Sequence, residues 1–265
     1  MVEIKPMLLS EAYDKAILND GSKWFQLKEN GIRSIIHIRD GKIVGMRNRT
    51  NHPILYMFPE FKEITFPFKT GILDAEVCVF RDGKSIYYSG IDHRRSAPTD
   101  NTLKENPATL VIFDALKIEN NILVMRPYSE RYKQINQNIV QGNQIKVSQN
   151  YSGKELWDKV IKENQEGLVV KNPNSIYELG KRSKEYLKLK NYKTTEVTVN
   201  ATDPNDKGSK ISGVATIDGK EIDVECQIPN IFDIGIGTIQ TIKYLDVVGK
   251  KLIQPTVVKR KQMEV

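Results

Sequence analysis

Three of the four Asp-Gly pairs, Asp40-Gly41, Asp82-Gly83 and Asp218-Gly219, stand between short runs rich in aliphatic residues. Asp-Gly adopts the left-handed backbone that a two-residue hairpin turn needs. The pairs predict three hairpins: Arg33–Ile38 with Lys42–Met46, Ile72–Phe80 with Ser85–Tyr88, and Ile211–Ile217 with Ile222–Cys226. A chain punctuated this way folds largely as sheet.

The first 190 residues mix strands with helices. Leu110–Phe113, Gly167–Val170 and Tyr186–Leu189 read as further short strands. Ser129–Ile139 and Gly153–Asn164 read as helices, the second opened by Ser152 with Glu155 three residues on, a capping box. Ser96–Pro107 is polar, has two prolines and reads as a loop. After Tyr192 only β-rich segments follow: Glu196–Ala201, Ile211–Ile217, Ile222–Cys226, Ile239–Val248 and Lys251–Val258. Five short strands in so few residues predict a small barrel of the oligonucleotide-binding kind, with Pro204–Ser209 as its first long loop. The fold class expected is α+β: residues 1–192 a domain of antiparallel sheets with flanking helices, and 193–265 the OB-fold barrel.

The 265 residues carry 40 Lys and Arg against 33 Asp and Glu, a net +7. Residues 194–265 hold 9 basic and 10 acidic residues, so all of the net basicity lies in the first part. A polyanionic partner fits that distribution, as does simple solubility. No apolar run is long enough to span a membrane, and Met1 to Ser10, without a long apolar core behind a basic start, does not read as a secretory signal. Cys78 and Cys226 have no paired spacing and fit a reducing compartment. His37, His52 and His93 are scattered, which argues against a metal cluster, and Trp24 and Trp157 read as core.

Several segments could carry chemistry. Lys28-Glu29-Asn30-Gly31-Ile32-Arg33 puts a lysine at a strand end, a glycine in a turn and an arginine at the next strand. Asp74 and Glu76, two apart, share one face of a strand. Phe113-Asp114 ends an apolar strand, and Glu166 and Lys171 bracket another. Lys188 and Lys190 alternate with leucines on one face. Taken singly these are ordinary surface turns, solvated strand faces and core aromatics.

In this order they resemble the motif series of the covalent nucleotidyltransferases, and among these the chain is most similar to small ATP-dependent DNA ligases. Supporting segments are Pro6-Met7-Leu8-Leu9, Arg47-Asn48-Arg49-Thr50 with Phe58-Pro59-Glu60, and Pro127-Tyr128-Ser129-Glu130-Arg131. The sequence departs from the family pattern at Asn30, at Ala75 and in the tail Pro255–Lys261, which has no aspartate.

The resemblance implies that residues 1–192 are an adenylation domain. It implies that Lys28 attacks the α-phosphate of ATP, that AMP passes to a DNA 5′-phosphate, and that the 3′-hydroxyl then displaces it. Lys188, Lys190 and Arg33 would disfavour the charged form of Lys28 and neutralise phosphoryl oxygens. Lys171 belongs to the same nucleotide-binding set. Glu166 is the first candidate for a Mg²⁺ ligand and Asp74 the second. Glu76 would accept from a ribose hydroxyl, Phe113 would stack on adenine and Gln26 would read its edge. Arg49 would bind ribose or the incoming phosphate. Lys250, Lys251, Lys259, Arg260 and Lys261 would grip DNA phosphates. The implied partner is nicked duplex DNA, met by a cytoplasmic monomer away from any membrane. RNA ligases and GTP-using capping enzymes share the lysine chemistry; the predicted barrel and the Phe-Pro-Glu and Pro-x-x-Glu-Arg segments favour DNA sealing. The rival from another class is a non-catalytic nucleic-acid-binding module, which Asn30, Ala75 and the tail would fit.

Overall fold

The computed structural model describes residues 4–88, 90–94, 96–206, 208–228 and 234–258. The chain divides into two compact units, Met1–Leu189 and Lys190–Val265. It is mostly sheet with few helices. No helix among the described residues is long and apolar enough to cross a membrane.

In the first unit the strands are β1 (Leu8–Glu11), β2 (Trp24–Leu27), β3 (Ile32–Arg39), β4 (Lys42–Asn48), β5 (Thr70–Arg81), β6 (Lys84–Ser85), β7 (Ala108–Ile118), β8 (Asn121–Ile122), β9 (Ile145–Val147), β10 (Gly167–Lys171) and β11 (Arg182–Lys190). The helices are α1 (Asp100–Glu105), α2 (Tyr128–Asn138) and α3 (Gly153–Lys162). Two sheets form, one in the order β4-β3-β5-β7-β8, the other β1-β11-β10-β2. Most pairings are antiparallel, but β1 with β11 and β7 with β9 run parallel, so the sheets are mixed rather than antiparallel throughout.

Asp40-Gly41 and Asp82-Gly83 take positive φ at both positions, the twist that lets a two-residue turn join strands. The second hairpin is shorter than predicted, because its return strand stops at Ser85. Along β5, Leu73, Ala75, Val77 and Val79 point into the largest apolar core. The opposite face carries Ile72, Asp74 and Glu76. A second core joins α3 to β2, β10 and β11 through Leu156, Trp157, Val160, Phe25, Leu168 and Leu189, so Trp157 is core as expected. A third draws Ile35 and Leu116 from one sheet and Tyr186 from the other, and so lies between them, with Met7, Tyr128 and Tyr177.

Two local readings change. The segment read as a loop, 96–107, contains α1, whose start is capped by the Thr99 hydroxyl accepting from the Thr102 N–H. The capping box at α3 is replaced by a side-chain pair: the Ser152 hydroxyl donates to Glu155 instead of accepting from a backbone N–H.

The second unit holds β12 (Lys193–Asn205), β13 (Gly208–Ile217), β14 (Lys220–Ile228), β15 (Ile239–Tyr244), β16 (Asp246–Val248), β17 (Lys251–Ile253) and β18 (Thr256–Val257), in the order β16-β17-β14-β13-β12-β15-β18. β12 and β13 continue past the segment read as a long loop, pairing Pro204 with Ser209 and Asn205 with Gly208. β17 pairs with β14 and β18, three residues on, with β15, so the C-terminal segment runs from one side of the β12–β15 set to the other. Val197, Val199, Ile211, Val224 and Ile242 fill the interior.

Candidate active site

Lys28 follows directly on β2, and its N–H donates to the carbonyl of Gly167 at 3.0 Å. That bond fixes the lysine beside Glu166. The Nζ to Oε1 distance is 2.8 Å, with both side chains mostly buried. Gly31 lets the next strand begin at close range: a Cβ there would stand 2.2 Å from the Val77 carbonyl oxygen on β5. A glycine is needed for this approach rather than for a special φ.

On β3, Arg33 lies directly across from Glu76 and reaches diagonally to Asp74. Its Nε and Nη2 donate to the two Asp74 oxygens at 3.0 and 2.6 Å, and its Nη1 donates to the Met7 carbonyl at 2.6 Å. Asp74 is fully buried and also accepts from the Tyr177 hydroxyl at 2.6 Å. Its carboxylate, the second metal candidate of the sequence, is engaged by Arg33 and Tyr177 and anchors the arginine. Burial opposes the Arg33 charge, and Asp74, with Tyr177 and Glu76, more than offsets this, so the guanidinium stays protonated.

Glu76 is half-buried and within electrostatic reach of Lys28, Arg33 and Glu166. Burial pushes its carboxyl up to about 7, against the lowering effect of Lys28 and Arg33. Among the described residues no group of three or more His, Cys, Asp or Glu is arranged to hold a metal. Glu166, paired with Lys28, and Glu76 are carboxylates within electrostatic reach of each other.

Phe113 owes its position to a β-bulge. Asp74 pairs with Asp114 and Ala75 with Ile112, which leaves Phe113 as the extra residue on β7. A bulge re-aims a side chain and frees its backbone. The ring is half-buried, outside every apolar cluster, with the Arg33 guanidinium 5.5 Å and the Lys171 Nζ 4.9 Å from its centre. The freed carbonyl accepts from the Tyr128 hydroxyl at 3.0 Å and from Lys171 at 3.2 Å. Lys171 is 2% exposed and also donates to Tyr128. Burial draws its ammonium down to about 7.

Gln26 is buried, and its Nε2 donates to Tyr128 and to the Ser148 carbonyl. The donor end of this amide is committed, so toward a ligand it can act as an acceptor.

Other predicted residues are placed differently. Lys188 pairs with Glu11 at 2.8 Å, a contact set by the β1–β11 register. Lys190 opens the second unit, where its ammonium donates to Gln254. Arg49 is exposed on the turn after β4; Arg47 braces that turn by donating to the Asn51 carbonyl. Lys250 and Lys251 are exposed in the second unit. Adjacent in sequence without an acid between them, they lie beside acids in space: Asp223 pairs with Lys251, and the charge of Lys251 helps hold the Glu225 carboxyl low, after Lys210. Lys259, Arg260 and Lys261 lie outside the described residues.

Sequence reasoning missed a second clamp. Asp114, fully buried, receives Arg131 Nε and Nη2 at 2.7 and 3.0 Å, and the Tyr186 hydroxyl at 3.3 Å. Tyr128 and Arg131 stand three apart and so share one face of α2. That spacing is visible in the Pro-x-x-Glu-Arg segment, Pro127 to Arg131.

A lysine beside a carboxylate, a half-open aromatic ring flanked by cations and a second carboxylate nearby form a site suited to a nucleotide. Residues 6–190 match the family model of the ATP dependent DNA ligase domain. The chain belongs to this family, and it is an enzyme of the ligase class. It is 30% identical over 200 residues to the SPbeta prophage-derived DNA ligase-like protein LigB of Bacillus subtilis, covering 74% of this chain and 70% of that protein. It is 27% identical over 202 residues to the DNA ligase of Thermococcus fumicolans, covering 71% of this chain and 36% of that enzyme. The chain thus spans about a third of the archaeal ligase's length. Two solved structures share its fold. The ligase domain of LigD from M. tuberculosis matches at TM-score 0.62 and 16% identity, over 96% of this chain and 93% of that one. A Lig E DNA ligase matches at 0.70 and 17%, over 98% and 99%.

Proposed function

We propose that this chain seals nicks in duplex DNA as a monomer, through a lysyl-AMP on Lys28 and an adenylated 5′-phosphate. The observation that carries the reading is Lys28 at the end of β2, ion-paired with Glu166 and within electrostatic reach of Glu76.

The covalent route divides a difficult displacement into easier ones. The Lys28 amine, having lost its extra proton, attacks the α-phosphorus of ATP. A P–N bond forms, the bond to the bridging oxygen breaks, and pyrophosphate leaves. The 5′-phosphate of the nick then attacks the same phosphorus. The P–N bond breaks and Lys28 takes up a proton as it departs. Finally the 3′-hydroxyl loses its proton, attacks the 5′-phosphate and releases AMP. Phe113 offers a stacking face for adenine, and the Gln26 carbonyl an acceptor for its exocyclic amine. Arg33 supplies a fixed positive charge, Glu76 accepts from a ribose hydroxyl, and Arg49 and Lys171 complete the polar lining. Glu166 and Glu76 fit a Mg²⁺ ion, which would withdraw charge from the phosphoryl oxygens.

We infer further that residues 1–192 are the adenylation domain and that 193–265 form an OB-fold barrel. The β12–β13–β14 meander and the C-terminal segment, which pairs with β14 and then with β15, support this. Lys250 and Lys251, with Lys259, Arg260 and Lys261, are its DNA-facing cations.

Intact-protein mass spectrometry after incubation with ATP and Mg²⁺ is the test. The wild type should gain one AMP, on Lys28. Lys28→Ala should gain none, yet still seal a nick supplied with a pre-adenylated 5′ end. An adduct on another lysine would overturn the assignment, and a wild type that is never modified would favour a binding module.

A further inference from the structure

The four hydrogen bonds that hold Arg33 come from three directions. Asp74 takes Nε and Nη2, the Met7 carbonyl takes Nη1, and the Tyr177 hydroxyl accepts from Nη2 at 3.3 Å. A guanidinium has five N–H groups. The two acceptors of Nη2 lie close together, and Nη1, with its single bond to Met7, keeps one N–H that no described residue takes up. The direction of that one N–H depends on whatever keeps the guanidinium from turning about Asp74.

Tyr177 is built for that task. It lies between β10 and β11, 3% exposed. Its hydroxyl donates to Asp74 Oδ2 and accepts from the Met7 N–H at 3.1 Å as well as from Arg33. One atom therefore touches the arginine, its counter-ion and the N-terminal segment that supplies the remaining acceptor. Its ring lies 5.7 Å from the Arg131 guanidinium of the other clamp, which limits its movement. Burial, with Asp74 next, keeps the hydroxyl protonated and so able to donate.

We propose that Tyr177 is a positioning residue of the nucleotide site: its hydroxyl, together with the backbone of Met7, aims the remaining Arg33 N–H at the bound nucleotide. This rests on the ATP reading given above. Tyr177 itself touches no substrate; it acts through Arg33.

The test is a double-mutant cycle on ATP affinity, measured by calorimetry in full-length Lys28→Ala protein so that no adduct forms. Thermal midpoints are recorded alongside. Tyr177→Phe should weaken ATP binding by about tenfold, the scale of a lost hydrogen bond to a charged group. In an Arg33→Gln background the same change should have no further effect on affinity, although it still lowers the midpoint. Tyr177→His, which keeps a ring N–H, should recover part of the loss. Should the phenylalanine variant not fold, the cycle is run with Tyr177→His and read the same way. Equal losses of affinity in both backgrounds, or no loss in either, would overturn the proposal. A wild type that binds ATP but never forms lysyl-AMP would overturn the ligase mechanism and leave this inference to the cycle. A protein that binds no ATP overturns both.

Discussion

Glu76 and Lys171 are held where their ordinary charges are costly. The Glu76 carboxyl rises from 4.5 to about 7, so the native protein holds that proton more tightly than the unfolded chain. Its contribution to stability is fully present below about pH 4.5 and is lost as the pH rises through about 7. Lys171 falls from 10.5 to about 7, so its contribution is fully present above about pH 10.5 and is lost as the pH falls through about 7. The two losses overlap near neutrality. The ligand-free protein should therefore show a trough in unfolding free energy around pH 7. Glu76→Gln should raise the neutral and alkaline side, by at most about 3 kcal/mol for a shift of this size. Lys171→Met should raise the neutral and acid side. Urea unfolding from pH 5 to 10 measures this, and parallel curves for wild type and both variants would refute it. On the function proposed above, these poorly solvated groups are the ones that a bound nucleotide would satisfy.

At the level of elements, the Asp114–Arg131 pair ties β7 to α2, and Tyr186 brings in β11. Both charged side chains are fully buried. Removing one partner of such a pair leaves an uncompensated charge, at a cost of about 3–5 kcal/mol. Arg131→Met should destabilise by that amount in urea. Asp114→Leu combined with Arg131→Met should recover most of it, because the pair together gains little over well-packed apolar residues. A single variant within about 1 kcal/mol of wild type would show that water or relaxation already screens the pair. The clamp and the Phe113 bulge belong to one strand: Asp114 holds β7 to its neighbours while the extra residue turns its ring out.

Across the whole molecule, the first part carries the net positive charge and residues 194–265 are nearly neutral. On β14 the exposed residues include Glu221, Asp223 and Glu225, and Lys251 lies alongside. A DNA grip there is weaker than two isolated lysines would give. Replacing Lys250 and Lys251 by glutamine should lower the slope of log affinity against log salt for a nicked duplex by about one, not two, phosphate contacts. Binding measured between 50 and 200 mM salt decides this range. An unchanged slope would place the DNA contact of this unit elsewhere.

How much of this was legible beforehand follows from the range of each interaction. The hairpins, the α2 and α3 helices, the β-rich C-terminal part and the linear order of Lys28, Glu76, Phe113, Glu166 and Lys171 rest on local chemistry: turn residues with positive φ, alternation, and spacing along one chain. The sequence alone determined these, and with them the family. Tertiary structure decided which charges are spent on one another. The partners of Asp74, Arg33 and Tyr177, come from two segments distant in sequence. Lys250 and Lys251 looked unopposed because the acids of β14 are far off in sequence. The bulge that presents Phe113 is a mismatch of register between two strands, a quantity neither strand contains. Burial supplies the reason: a charge or a free carbonyl removed from water must find a partner, and that partner is chosen by the fold rather than by the neighbouring residues.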